Sequence, residues 1–206
     1  MQFTTLRRIA GGLRLPLAFA ATALLAAASV AQAQAGNQLS PELQSVRAGL
    51  DKYQDPMVAV RDGYLSTIAC IDFPKPFSEG SMQVAAGAMG VHLLNMNNVG
   101  PTLDPTKPQV LIYEPKGDKL VLVAAEWFMP AQLAGSTPPT VFGQQLQGPM
   151  EGHPPIMPPE VHHYDLHVWL WRNNPAGVFS PTNAAVSCPK GGYTFAAEGA
   201  TMVHTH

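Results

Sequence analysis

Eight of the 31 residues from Pro130 to Glu160 are proline, and Gly135, Gly143, Gly148 and Gly152 lie among them. Proline donates no amide hydrogen and glycine weakens an element's interior, so this stretch predicts no regular element of its own. The ordered parts of the chain must then be built on either side of it. A loop of this length in a compact domain is more often functional than a mere connection. Phe142, Leu146, Met150, Ile156 and Met157 predict that it packs down, as a lid or strap does. Twenty prolines and 18 glycines against 13% charged residues point to an ordered, loop-rich domain of short strands.

Residues 1–35 have the order of a bacterial secretory leader. Arg7, Arg8 and Arg14 precede an alanine-rich apolar run from Leu15 to Val30, and Ala31-Gln32-Ala33 and Ala33-Gln34-Ala35 offer overlapping small-x-small cleavage sites. A membrane anchor needs about 20 apolar residues; this run is shorter and contains Pro16. The expectation is a secreted or periplasmic protein with one globular domain over residues 36–190 and a loosely held tail over 191–206. No later segment is long and apolar enough to span a membrane. Without the leader, nine basic residues face 14 acidic ones, a net charge of −5. No basic stripe is left to serve a nucleic-acid partner.

Cys70 and Cys188 are the two cysteines. In an exported protein an even pair favours a disulfide; the alternative is a cysteine nucleophile or metal ligand.

Leu43, Val46, Leu50 and Tyr53 follow helical spacing behind Ser40-Pro41, which suits an N-cap and a first-turn proline. A second short helix is expected from Met57 to Leu65, and a proline-bearing connection from Cys70 to Gly80. Strands are expected over Ala88–Asn95, Gln109–Glu114, Lys119–Phe128 and Val161–Trp171, with Pro115-Lys116-Gly117-Asp118 turning a hairpin. The fold class is therefore α+β: N-terminal helices packed on an antiparallel β-sheet or partly open barrel, with one long Pro/Gly-rich loop.

Alternation along the last strand puts Tyr164, Leu166, Val168 and Leu170 on a core face. His163, Asp165, His167, Trp169 and Trp171 take the other, which reads as the wall of a cavity or groove. Glu126 ends the apolar run Leu120–Ala125, where a buried carboxylate needs a cation or strong donors. His92 stands in a similar run after Gly87 and Gly90. If these strands are neighbours, His92, Glu126, His163 and His167 converge as ligands for zinc, iron, copper or manganese. Asp165 would then orient an imidazole, and Trp169 and Trp171 would line an apolar approach. The plain alternatives are a buried polar network without metal, with Glu126 paired to a histidine or to Arg172, or surface placement. No Gly-x-Ser-x-Gly elbow, phosphate-binding glycine loop, Cys-x-x-Cys or His-Glu-x-x-His is present.

Gly87-Ala88-Met89-Gly90-Val91-His92, Tyr113-Glu114-Pro115, Ala125-Glu126-Trp127, Tyr164-Asp165-Leu166-His167-Val168-Trp169-Leu170-Trp171 and Val186-Ser187-Cys188 together resemble a family of secreted bacterial proteins to which no activity is attached. The likeness runs from about Leu50 to Pro189, and the segment around His167 is its most distinctive part. It implies export and supports pairing Cys70 with Cys188. It brings no substrate or cofactor. Two functional readings follow from the residues: an extracytoplasmic metal-dependent protein or enzyme, or a non-catalytic module binding a small molecule, glycan or peptide in an aromatic-lined groove.

Overall fold

The N-cap expected at Ser40 is formed: its hydroxyl accepts the Leu43 amide at 3.2 Å at the start of α1 (Pro41–Leu50). The helix buries Leu43, Val46 and Leu50 and continues into a 3-10 turn, Asp51–Gln54, that buries Tyr53. Asp55 caps α2 (Pro56–Arg61) by accepting the Met57 amide at 2.9 Å. The structure is a computed structural model describing residues 38–153, 157–190, 194–196, 198–199 and 201–203, without the side chains of Ile68 and Phe195. The leader expected at 1–35 lies outside these residues.

Eleven strands follow: β1 (Leu65–Phe73), β2 (Phe77–Glu79), β3 (Met82–Val84), β4 (Gly87–Leu94), β5 (Val110–Lys116), β6 (Lys119–Pro130), β7 (Thr140–Val141), β8 (Gln144–Gln145), β9 (Gln147–Met150), β10 (His163–Val168) and β11 (Thr194–Ala196). Seven form one sheet in the order β11-β1-β4-β5-β6-β10-β9. All its pairings are antiparallel except β1 with β11. The sheet, mostly antiparallel as expected, does not close into a barrel: β11 and β9 are its edges. The helices contribute little beyond one covering layer.

Three expectations need correction. The segment from Cys70 that was expected to be a connection begins inside β1, whose alternation is blurred by two register irregularities against β4. The proline-rich stretch carries β7, β8 and β9. Of these, β9 pairs with β10 at the sheet edge, where Pro149 interrupts no inner ladder. Beyond Pro189, where a loosely held tail was expected, β11 adds a parallel edge strand and Met202 bridges Met150.

One face of the sheet, with Leu111, Tyr113, Ala125, Trp127, Leu166 and Val168, packs against Leu43, Val46, Leu50 and Tyr53 of the helical layer. The Tyr113 hydroxyl donates to the Tyr53 carbonyl at 2.6 Å and fixes that docking. The opposite face carries Val110, Ile112, Ala124 and Phe128, packed with Trp169 and Val186. Cys70 of β1 is bonded to Cys188, 118 residues away. Closing a loop of that length stabilises the fold by about 4–5 kcal/mol through unfolded-chain entropy. Among the described residues no helix is long and apolar enough to cross a membrane.

Candidate metal centre

Period-two alternation brings the polar side chains to the face away from the helices. His167 of β10 stands directly opposite Glu126 of β6, and His163 and Asp165 follow on the same face. His92 comes from β4. It is level with Ile112, while Glu126 is level with Val110, so the imidazole reaches Glu126 diagonally across β5. Gly90 makes this placement possible. It sits at a bulge between β1 and β4 with φ of 105°, and a Cβ there would lie 2.6 Å from the Tyr113 carbonyl oxygen.

His92 Nε2 lies 3.5 Å from Glu126 Oε2, and His167 Nε2 lies 3.7 Å from the same oxygen. These three side chains each offer an atom within 4.8 Å of the others. A second group, His153, His163 and Asp165, meets the same criterion. His163 Nε2 is 3.5 Å from Asp165 Oδ2, and Asp165 Oδ1 is 3.8 Å from His167 Nδ1. His167 thus stands between the groups, one ring nitrogen toward each carboxylate.

The polar atoms are buried and underused. Glu126 Oε2, His92 Nδ1 and both ring nitrogens of His167 make no hydrogen bond. An unpaired buried acceptor or donor costs about 1–3 kcal/mol, so four in one place call for a partner. Arg172 does not supply it: its Nη2 pairs with Glu114 at 2.5 Å, and Glu114 also accepts the Ser187 amide.

Burial sets the protonation states. It pushes His92 down to about 3, with the neighbouring His167 adding to the effect. His167 and His153 are lowered chiefly by burial as well. Glu126 is raised well above the carboxylate range by burial and then by the charge of Asp165. Asp165 moves the other way. Burial opposes its ionisation, but the His163 ring 3.5 Å away and the surrounding imidazoles more than offset that. The result is neutral imidazoles with free lone pairs beside carboxyl groups, the protonation state in which histidine ligates metal.

These residues line a cavity of about 210 Å³ whose remaining wall is largely apolar, including Ile71, Phe73, Met89, Leu94, Phe128 and Met157. Of the four expected ligands, His92, Glu126 and His167 come together. His163 is instead grouped with Asp165 and His153. Trp169 and Trp171 do not line the cavity. Trp169 stays on the histidine face, packed with Val110, Ile112 and Ala124 but outside the cavity; β10 ends at Val168, and Trp171 packs instead with the cluster on the helix side. Trp169 Nε1 donates to the Ser180 carbonyl at 2.6 Å, and Trp171 Nε1 to Asp51 Oδ1 at 2.6 Å beside the helical layer.

Two further residues were not singled out from sequence. His153 enters the cavity from the proline-rich stretch, and its signal was a histidine three residues after Met150 in a loop expected to pack down. Glu79 of β2 is buried, its Oε2 has no partner, and its carboxyl is pushed up to about 8 by burial and by Asp165. Nothing in the sequence around Glu79 pointed there. Comparison with known proteins gives no guide: no family model, no curated protein and no solved structure matches the chain.

Proposed function

We propose that this chain is an exported, metal-dependent domain in which His92, Glu126 and His167 hold one divalent transition ion facing the apolar cavity. The observation that carries the reading is the set of distances to Glu126 Oε2, 3.5 and 3.7 Å, among buried atoms that have no other partner. Ligands about 2.0–2.2 Å from a tetrahedral ion are separated by roughly 3.3–3.6 Å, whereas octahedral neighbours are closer to roughly 3.0 Å. Both distances lie nearer the tetrahedral spacing, so zinc is the first ion to test, alongside iron, manganese and copper. A hydrogen-bonded network is the poorer account, because hydrogen bonds require shorter separations.

Two imidazoles and one carboxylate leave a zinc coordination position open, and an ion so held supplies Lewis-acid chemistry or a bound hydroxide near neutral pH. The protein's own part is to keep the imidazoles neutral, to exclude bulk water, and to present an apolar wall. The ligand class that suits this cavity is a compact, mainly apolar molecule with one oxygen or nitrogen to offer the ion. Membership of the secreted bacterial family that the motifs resemble, and an extracytoplasmic location, belong to the same reading; the Cys70–Cys188 bond supports the latter.

A binding module without metal is the second reading, favoured by the apolar wall alone. The terminal His204-Thr205-His206 is a potential adventitious metal binder, so metal analysis of protein purified from the periplasm with His204 and His206 replaced separates the two readings. At least one tightly held zinc per chain, reduced by one in His92→Ala, supports the first. A folded protein that takes up no added zinc, iron, manganese or copper refutes it and leaves the module.

A further inference from the structure

His163 Nδ1 lies 3.3 Å from the Val161 carbonyl oxygen, which can only accept, so in the tautomer that makes this bond Nδ1 carries the hydrogen. Nε2 of that tautomer faces Asp165 Oδ2, 3.5 Å away, with its lone pair, and a positive centre between the two would satisfy both. The gap is too long for a strong charge-assisted hydrogen bond, which closes to about 2.7–2.9 Å. It matches the separation of two ligands on one tetrahedral ion, roughly 3.3–3.6 Å.

His153 adds a third donor to the pair. Its ring centre is 5.2 Å from that of His163, with the planes inclined at 75°. Two imidazoles on one zinc at about 2.0–2.1 Å place their ring centres roughly 5 Å apart. The side chains of His163 and Asp165 are 1% and 8% exposed, so the pair is withdrawn from bulk water.

We propose that His153, His163 and Asp165 form a second, separate site for a divalent transition ion in the same cavity. The two ions would not share a ligand atom. His167 turns Nε2 toward Glu126 and Nδ1 toward Asp165 Oδ1, 3.7 and 3.8 Å away, so an imidazole and a carboxylate stand between the two positions. This differs from bridged two-metal centres, whose ions sit about 3.5–4 Å apart. The sites are coupled through the His167–Asp165 contact and are filled separately. The second site also ties the proline-rich stretch, through His153, to β10 of the sheet. It rests on the reading above only in sharing the cavity, and either site stands without the other.

Native mass spectrometry of the full protein with added zinc, carrying replacements at His204 and His206, tests this by counting. Two zinc ions are expected in the parent and one in His153→Ala. One is also expected in His92→Ala, and none when both changes are combined. His153→Gln, which keeps the side chain's bulk, must give the same count as His153→Ala, with melting of both metal-free variants close to the parent. One ion in the parent, lost in His92→Ala and kept in His153→Ala, overturns the second site and leaves the first. One ion lost in His153→Ala and kept in His92→Ala supports the second site and overturns the first. Two ions retained in both His153 variants, or none in the parent, overturns the proposal.

Discussion

His167 and Glu126 face each other across the β6–β10 register with 3.7 Å between Nε2 and Oε2, and neither ring nitrogen of His167 makes a hydrogen bond. Side by side in an apolar surround, such a pair is stabilising only if something positive joins it. That condition makes the centre testable through stability as well as through binding.

Glu126→Gln keeps the shape and removes the ionisable oxygen. Burial already holds this carboxyl well above the usual carboxylate range, so the metal-free variant should melt at or slightly above the parent temperature. Zinc at a hundred times its dissociation constant should stabilise by about 2.7 kcal/mol for each occupied site, so the variant should gain less than the parent by about that amount. Thermal melts with zinc and with a chelator read both effects.

Glu79 sets a pH dependence of known sign. Its folded pKa, pushed up to about 8, lies above the ordinary value of 4.5, so its contribution is complete below about 4.5 and is lost as pH rises toward 8. Glu79→Gln, which mimics the protonated carboxyl, should therefore gain stability relative to the parent as pH rises from 5 to 8. The difference is expected to reach the order of a few kcal/mol. Urea midpoints of the two metal-free proteins across that range measure it, and a constant difference would refute the assignment.

Gly90→Ala should be severely destabilising. The added Cβ would meet the Tyr113 carbonyl oxygen at 2.6 Å on a backbone with φ of 105°. Relief requires β4 to shift against β5, which costs about 2 kcal/mol or more and displaces His92. Chemical denaturation should show the loss, and any folded fraction should bind zinc more weakly than Leu94→Ala, a cavity-wall change that spares the ligands.

Replacing Cys70 and Cys188 together by alanine should remove about 4–5 kcal/mol of stability for a separation of 118 residues. A reductant should lower the urea midpoint of the parent toward that of the double variant and leave the variant unchanged.

Much of this was legible in the sequence for local reasons. The Ser40-Pro41 start of α1, the β5–β6 hairpin and the face shared by His163, Asp165 and His167 depend on neighbours a few residues away, through capping, turn chemistry and the period-two geometry of a strand. The limits were equally physical. β1 was hidden because its bulges break the alternation that announces a strand. The face of Trp171 was misplaced because nothing local marks Val168 as the end of β10, and Trp169, though on the expected face, packs beside the cavity and does not line it.

The sequence by itself determined which residues could serve as ligands: imidazoles and one carboxylate set in apolar strands, where an unpaired polar group is costly. Only the tertiary structure decided how they are grouped. Strand order and the bulge at Gly90 carry His92 across β5 to Glu126, and the packed proline-rich stretch brings His153 to His163 and Asp165. Those are contacts between segments tens of residues apart. Their register is set by the whole sheet, and no local pattern encodes it.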